Sequence, residues 1–499
     1  MDRSELSPLF WPVREDTEGF SILDETRLPG EVHYISVRDV DDAVRAVREM
    51  RTRAFGQVLT FFHTVLLSLR RIGAIDRGTI EGRVRDLGRA FSEARPTFAF
   101  QGMAERIVGW LSGSNSTEPR EFLVGEIQRH FRILMRMRQK RAELAASLLP
   151  QTCSILTHCN MSGELVLIGS LLRDRGAKVR FFATETRPYL QGTRLTAWEL
   201  ERAGFEVHLL PDRGAGQVMD KGLVDAVVVG SDRSTRRGDV VNKVGTYPLA
   251  LLAKAKGIPL YALVQDVEEM LSDEITIEER PQEELSCYNG RRLAPEGVRC
   301  RYPAFDVTPA DLVTRLVGFA SIYSPKDFRM KFGGGARITM ESTSEDGAYL
   351  LVFGTPRAEF YRHLLDGSRI EGKGEILVSE MRPGLSGARE LAPALVKAGL
   401  KTTLVSDNML GFFFQRQAIR RVYLAYREFA QAGPLLPAGA TMVVELARAH
   451  EVPVELIAAG EETTSPTDLD VTTLLTERVA GTGVSPYLLQ DEVVPWSAF

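Results

Sequence analysis

Cys159, in the stretch ILTHCNMSGEL, and Asp232, in DAVVVGSDRS, can each exchange a proton with a substrate held between them. A free thiol ionises near about 8.5 and a free aspartate near about 3.9. A helix N-terminus beside the thiol favours the thiolate, and an apolar pocket around the carboxyl favours its protonated form. The sequence leaves the resting form of each open. Asn242 and Lys243, in GDVVNKVGTYPLALLAK, stand immediately before a helix. There a side-chain amide, an ammonium and backbone N–H groups can together hold a sugar hydroxyl or a phosphate. Gln191, in RPYLQG, offers donor and acceptor on one amide. The plain alternatives are a buried free thiol for Cys159 and a helix-capping role for Asp232.

The elements that must position these groups change character along the chain. Residues 1–148 read as a mostly helical N-terminal domain after a short opening. DDAVRAVREM, QVLTFFHTVLLSLRRIG and EFLVGEIQRHFRILMRMRQKRAELAASLL carry apolar residues at helical spacing. The basic residues of the last are expected on a solvated helix face. From residue 150 short apolar runs alternate with helices. SILTH, KVRFFATE, EVHLLPD, DAVVVGSD and PLYALV are five expected strands, and ELVLIGSLLRDRG, LTAWELERAG and YPLALLAKAKG are helices between them. This alternation predicts an α/β fold, a Rossmann-like parallel sheet with helices on both faces over residues 149–340. Ligands of such sheets sit beyond the carboxyl ends of the strands, where Cys159, Glu185 and Asp232 all fall.

Shifted by 195 residues, the chain resembles itself. ATETRPYLQGTRLTAWELERAGFEVHLLPD (183–212) lies over VSEMRPGLSGARELAPALVKAGLKTTLVSD (378–407) without a gap. The matches include Glu185/Glu380, Arg187/Arg382, Pro188/Pro383, Gly192/Gly387 and Asp212/Asp407. Residues 341–499 are therefore expected to hold a second, degenerate Rossmann-like copy, its repeat running over about 341–465. At that offset Cys159 meets Gly354, Gln191 meets Ser386, Asp232 meets Arg427, and Asn242 and Lys243 meet Pro437 and Ala438. The scaffold recurs without its reactive groups, as in a pseudo-dimer fused into one chain. A third domain with a ligand site of its own is the alternative.

At 499 residues the chain is too long for a single core. Hydrophobic residues at 44% and charged residues at 26% describe an ordinary globular protein. A net charge of −4 gives no reason to expect nucleic-acid or membrane affinity. The opening MDRSELSPLFWPVRED has no basic region followed by an apolar stretch, so no signal peptide is expected. The four cysteines show no zinc spacing and fit a reduced, cytoplasmic protein without a metal. HCNMSGEL lacks the glycine spacing of a dinucleotide loop, and no GxxxxGK[ST] phosphate loop occurs, which disfavours nicotinamide enzymes and nucleotidases.

ILDETRLPGEV (22–32), ARPT (94–97), ILTHCN (155–160), ETRPYLQGTRLTAWEL (185–200), VDAVVVGSDRSTRRGDVVNKVGTYPLALLAK (224–254), IEER (277–280), APEGV (294–298) and PAFDVTP (303–309) occur in this order. Together they make the chain resemble the methylthioribose-1-phosphate isomerases. That family shares a superfamily with ribose-1,5-bisphosphate isomerases and the regulatory subunits (alpha, beta, delta) of initiation factor 2B. LQGTRLTAWEL and PAFDVTP point to the methylthioribose branch.

By this resemblance Cys159 and Asp232 match the catalytic pair, while Arg95, Gln191, Asn242 and Lys243 match positions that bind substrate and phosphate. The implied activity is aldose–ketose isomerisation of 5-methylthioribose 1-phosphate, or a related C1-phosphorylated pentose, in methionine salvage. No metal, nicotinamide or other cofactor is implied. The expected partner is a small sugar phosphate, with no nucleic acid or membrane, and the fused repeat leaves monomer and homodimer open. A non-catalytic sugar-phosphate or nucleotide sensor resembling the regulatory subunits is the alternative. Departures cluster at substrate-contacting places. The family's Arg-Gly-Ala-Pro-Ala-Ile-Gly stretch is replaced by RTRAFGQ, where Arg51 or Arg53 could substitute from a shifted backbone. Glu164 follows THCN where small residues are expected, and would repel a phosphate unless it faces solvent. PLYALV runs into QDVEEM, and Tyr302 stands where Asn usually precedes PAFDVTP.

Overall fold

The switch from helical to alternating periodicity near residue 150 separates two compact units. One comprises Met1–Ala146 with Met161–Leu171, the other Ser147–Asn160 with Leu172–Phe499. This computed structural model describes residues 6–71, 76–96, 98–265, 267–268, 275–333, 348–370, 374–460 and 470–499. Thr97 of ARPT, half of QDVEEM and the start of the expected repeat lie outside them. No helix among the described residues is long and apolar enough to cross a membrane.

The first unit opens on a small antiparallel sheet, β1 (Val13–Glu15), β2 (Phe20–Leu23) and β3 (Tyr34–Val37). Five helices follow: α1 (Val40–Arg48), α2 (Phe55–Arg70), α3 (Arg77–Ala94), α4 (Phe100–Ser112) and α5 (Pro119–Ser147). Phe61, Phe91 and Phe100 meet edge-on or tilted in its core. The expected solvated basic face on α5 is present in Arg129, Arg132, Arg136 and Lys140, all exposed, and fails only at two positions. Arg138 and Arg141 are buried and grip Glu164, the first residue of α6 (Glu164–Asp174), with contacts of 2.8 Å from each guanidinium. Glu164 itself is 2% exposed, so it faces neither solvent nor a free anion: two cations neutralise it, which offsets its desolvation.

All five expected strands form in the second unit: β4 (Thr152–His158), β5 (Lys178–Thr184), β6 (Glu206–Leu210), β7 (Ala226–Val229) and, after β8 (Val240–Lys243), β9 (Leu260–Leu263). The chain starts at the centre with β4, moves out through β5 and β6, then returns to β7 and β9. The resulting parallel order β9-β7-β4-β5-β6 places a topological switch between β4 and β7. LTAWELERAG is partly π-helical, Gly192–Ala197, before it becomes α-helical at Trp198–Arg202. Helix α7 (Thr246–Ala255) follows β8, and β10 (Phe305–Thr308) pairs antiparallel with β8.

A second parallel sheet repeats this order. Its strands β11 (Tyr349–Phe353), β12 (Glu375–Ser379), β13 (Thr402–Val405), β14 (Ile419–Tyr426) and, after β15 (Gly433–Leu436), β16 (Val454–Ala458) are arranged β16-β14-β11-β12-β13. Helix α8 (Ala440–Ala449) follows β15 as α7 follows β8. Individual bonds recur as well. Asp212 accepts from the N–H groups of Thr186 and Arg187, and Asp407 from those of Met381 and Arg382. Asp232 N–H donates to Val241 O, and Arg427 N–H to Leu435 O. In that last pair the bond of the second sheet spans one residue fewer than that of the first. Asn242 and Lys243 therefore correspond to Leu436 and Pro437, one residue earlier than a single offset gives. The correspondence also continues past residue 465, to β17 (Glu492–Val493), which pairs with β15 as β10 pairs with β8.

The two sheets exchange arms. Arg299–Cys300, from the first half, pairs parallel with β13 of the second sheet, while Ser485–Pro486, from the second half, pairs parallel with β6 of the first. Between the sheets Arg187 binds Glu380 through two bonds of 2.8 and 2.9 Å, and Arg382 binds Glu185 at 2.9 Å. All four are buried. Glu185, placed by sequence with Cys159 and Asp232 at the carboxyl edge, is thus committed to an ion pair and is not a free site residue.

Asp306 and Glu492 occupy matching places, accepting from Tyr247 N–H and Thr441 N–H at the starts of α7 and α8. Burial pushes each carboxyl up to about 7. The native state then holds protons that the unfolded chain releases near about 4. Stability from this source is full at acid pH and falls as pH rises towards 7. Urea midpoints at about pH 4.5 and 7.5 are expected to show that fall in the parent and a smaller one in Asp306→Asn.

Candidate active site

Cys159 is the residue that follows β4, and its backbone lies in the left-handed region at φ +65. A non-glycine residue stays there only when neighbours hold it. Two threonines do so. Cys159 N–H donates to Thr186 Oγ1 at 3.0 Å, and Thr196 Oγ1 donates to Cys159 O at 2.6 Å. Asn160 adds bonds to Thr196 at 3.0 Å and Glu199 at 2.7 Å. The thiol residue, half-buried, is therefore fixed on both sides of its peptide plane by the turn and π-helical segment that follow β5. In the second sheet Gly354 takes the same place at φ +94, and a Cβ there would lie 2.7 Å from the Ala425 Cβ. No side chain fits.

His158, just before it, is buried and spans two loops. Nε2 meets Val244 O at 2.9 Å and Nδ1 meets Thr184 Oγ1 at 2.7 Å. A carbonyl only accepts, so Nε2 carries the proton and the Thr184 hydroxyl donates to Nδ1. Burial lowers its pKa to about 4, against the favourable Val244 bond, so the ring is neutral and structural.

Asp232 lies three residues past β7, on the other side of the switch point, and is exposed. Its N–H bond to Val241 O, 2.9 Å, ties it to the strand that carries Asn242 and Lys243. Asn242 is buried, with Nδ2 on Thr246 Oγ1 at 2.9 Å. Lys243, 5% exposed, donates to the Tyr302 hydroxyl, and its Nζ stands 4.4 Å from the centre of that ring. Gln191, also buried, opens the π-helical turn after β5. Five of the expected residues thus gather around the carboxyl ends of β5, β4 and β7.

Arg53 and Arg95 belong to the first unit. Arg53 N–H donates to Glu25 Oε1 at 3.0 Å, with its guanidinium 3.4 Å from the same carboxylate. Arg95 donates to Gln57 Oε1 at 3.3 Å and lies 2.8 Å from the Met50 sulfur. Met50 and Ala54 both have positive φ, 55 and 42, so the RTRAF loop does follow an unusual backbone. The expected shift of an arginine there ends in an ion pair within the unit.

Thr186 and Thr196 escaped the sequence reading, although a signal existed. At the 195-residue offset they meet Met381 and Leu391, and His158 meets Phe353. The offset thus pairs each of these polar residues with an apolar one.

The family model described as "Initiation factor 2 subunit family" matches residues 58–318 and 338–480. The chain belongs to this family. Among curated members it is 39% identical to a methylthioribose-1-phosphate isomerase of Desulforudis audaxviator, over 63% of this chain and 96% of that protein. A member from Thermotoga maritima with the same name is 35% identical, over 61% and 92%. In three dimensions the chain is similar to the crystal structure of 5-methylthioribose 1-phosphate isomerase from Pyrococcus horikoshii. That match has a TM-score of 0.58 and 30% identity, over 66% of this chain and 98% of that one. It is also similar to translation initiation factor eIF-2B subunit delta from A. fulgidus, with a TM-score of 0.57, 30% identity, and coverage of 64% and 98%. The match thus spans nearly the whole of each relative and about two thirds of this chain.

Proposed function

We propose that this chain is an aldose–ketose isomerase converting 5-methylthioribose 1-phosphate, or a closely related C1-phosphorylated pentose, to the ketose 1-phosphate in methionine salvage. One observation carries the reading: a strained cysteine and an exposed aspartate flank the switch point of the very sheet that resembles the named isomerases. The second sheet, at the matching places, has Gly354 and Arg427.

The reaction is redox-neutral within one molecule. The ring oxygen gains a proton as the ring opens, and hydrogen moves from C2 to C1 while the C2 hydroxyl becomes a carbonyl. Cys159 and Asp232 trade the protons, Asp232 at the hydroxyl or ring oxygen and Cys159 at the opposite transfer. Gln191, Asn242 and Lys243 hold the sugar and its phosphate. The second sheet is a degenerate copy of the first and completes a pseudo-dimer in a three-part chain, 1–148, 149–340 and 341–499. Its matching strand order, capping carboxylates and exchanged arms support this. The protein works in the cytoplasm, as four free cysteines suit a reduced compartment.

The test is direct turnover. Purified protein is incubated with 5-methylthioribose 1-phosphate and ketose formation is followed by carbon NMR, with Cys159→Ser as control. Product from the parent alone is the expected result. No product, with ribose 1,5-bisphosphate and 5-deoxyribose 1-phosphate also inert, would overturn the isomerase in favour of a sugar-phosphate sensor.

A further inference from the structure

The turn that carries Lys243 is fixed from three directions. On its N–H side, Gly245 and Tyr247 donate to the buried carboxyl of Asp306, at 2.7 and 3.0 Å. On its carbonyl side, Val244 O accepts from His158 Nε2. The third hold comes from the second sheet. Asn408, in the turn after β13 and 2% exposed, donates through Nδ2 to Val244 O at 3.1 Å and to Arg187 O at 2.9 Å. Two carbonyls as neighbours fix which way the amide points, and Ser406 Oγ donates to the Oδ1 that remains, at 2.6 Å. Both acceptor sites of Val244 O are then filled, one by each half of the chain.

The packing leaves this turn no alternative. Gly245 has φ +110, and a Cβ on it would lie 2.8 Å from the Asn408 Cβ and 2.7 Å from His158 Cε1. The mirror position differs. Arg213, of the first sheet, donates to Arg382 O and Ala438 O, the counterparts of the two carbonyls that Asn408 holds. The turn it supports has Pro437 where the first has Lys243, so it has no cation to place.

We infer that Asn408 is a positioning residue for the sugar-phosphate site: through Val244 it sets the turn from which Lys243 and Asn242 reach the ligand. The second sheet, without reactive groups of its own, thereby completes the site of the first. This rests on the isomerase reading for its kinetic test but not for its structural one.

Asn408→Ala is compared with Arg213→Asn, which removes the matching bonds on the silent side. Three quantities are measured: Tm, KM with kcat for 5-methylthioribose 1-phosphate, and hydrogen exchange at the Gly245 and Tyr247 amides. Both variants are expected to lose thermal stability. Only Asn408→Ala should raise KM by about tenfold or more, with faster exchange at both amides. Arg213→Asn should keep KM within about twofold of the parent. Equal KM changes in the two variants, or parent-like KM and exchange in Asn408→Ala, would overturn the inference. If the parent proves inert on the sugar phosphate, the isomerase reading falls and exchange alone decides. If Asn408→Ala does not fold, Asn408→Asp removes the same two donors at constant shape and is read the same way.

Discussion

Asp232→Asn should lower kcat by about 10²–10⁴-fold, the range that a positioned acid or base contributes, while leaving Tm nearly unchanged. The carboxyl is exposed, and the residue is anchored by its backbone N–H on Val241 O, a bond that asparagine keeps. An isosteric change at an exposed position typically shifts stability by less than about 0.5 kcal/mol. Loss of rate would therefore report chemistry and not folding. Cys159→Ser should behave alike, because Thr186 and Thr196 hold the backbone whatever the side chain. Its hydroxyl, however, is a far weaker acid than the thiol. The double variant should be little slower than the worse single one, since two groups that pass protons through one substrate act as a unit. A variant of Asp232 within about tenfold of the parent would remove it from the proton transfer and leave it a role in binding only.

Much of this site could be read from the chain before any coordinates, and the reasons are local. Apolar runs of four to seven residues bounded by Gly and charged residues form strands wherever both faces are covered, so β4, β5, β6, β7 and β9 fell where the runs predict. Residues just past such runs must lie at a sheet's carboxyl edge, and this placed Cys159 and Asp232 correctly. What could not be read is pairing over distance. Glu185 looks as reactive as Asp232 in sequence, yet Arg382, nearly two hundred residues away, takes it. Arg138 and Arg141 sit in a helix whose basic pattern spells solvent, and only the fold brings Glu164 to them. The likeness of the two halves was legible where it had no gap and slipped after Arg427, where the matching backbone bond spans one residue fewer and sets Lys243 against Pro437 and not Ala438. Asn408 belongs to the same class: its use depends on a carbonyl that no side-chain pattern announces.

Breaking one of the ion pairs between the sheets is expected to have the largest effect on stability. Glu380→Ala should cost about 3–5 kcal/mol, the penalty for leaving one buried charge without its partner. Arg187 would keep only carbonyl contacts, from Pro188 O at 2.6 Å and Leu285 O at 3.4 Å, while remaining 1% exposed. Glu185→Ala should cost a similar amount by leaving Arg382 with Pro383, Val471 and Thr473 carbonyls. Replacing both members of one pair tells more than either single change. Arg187→Met with Glu380→Leu removes the charges together and fills their volume, so it should recover most of the loss and end near the parent. Urea unfolding read by circular dichroism gives the four free energies of that cycle. Strong coupling with a near-neutral double variant would mean that the pair fixes the register of the two sheets more than it stabilises them. A double variant as unstable as Glu380→Ala would instead make the reciprocal pairs a main source of cohesion between the halves.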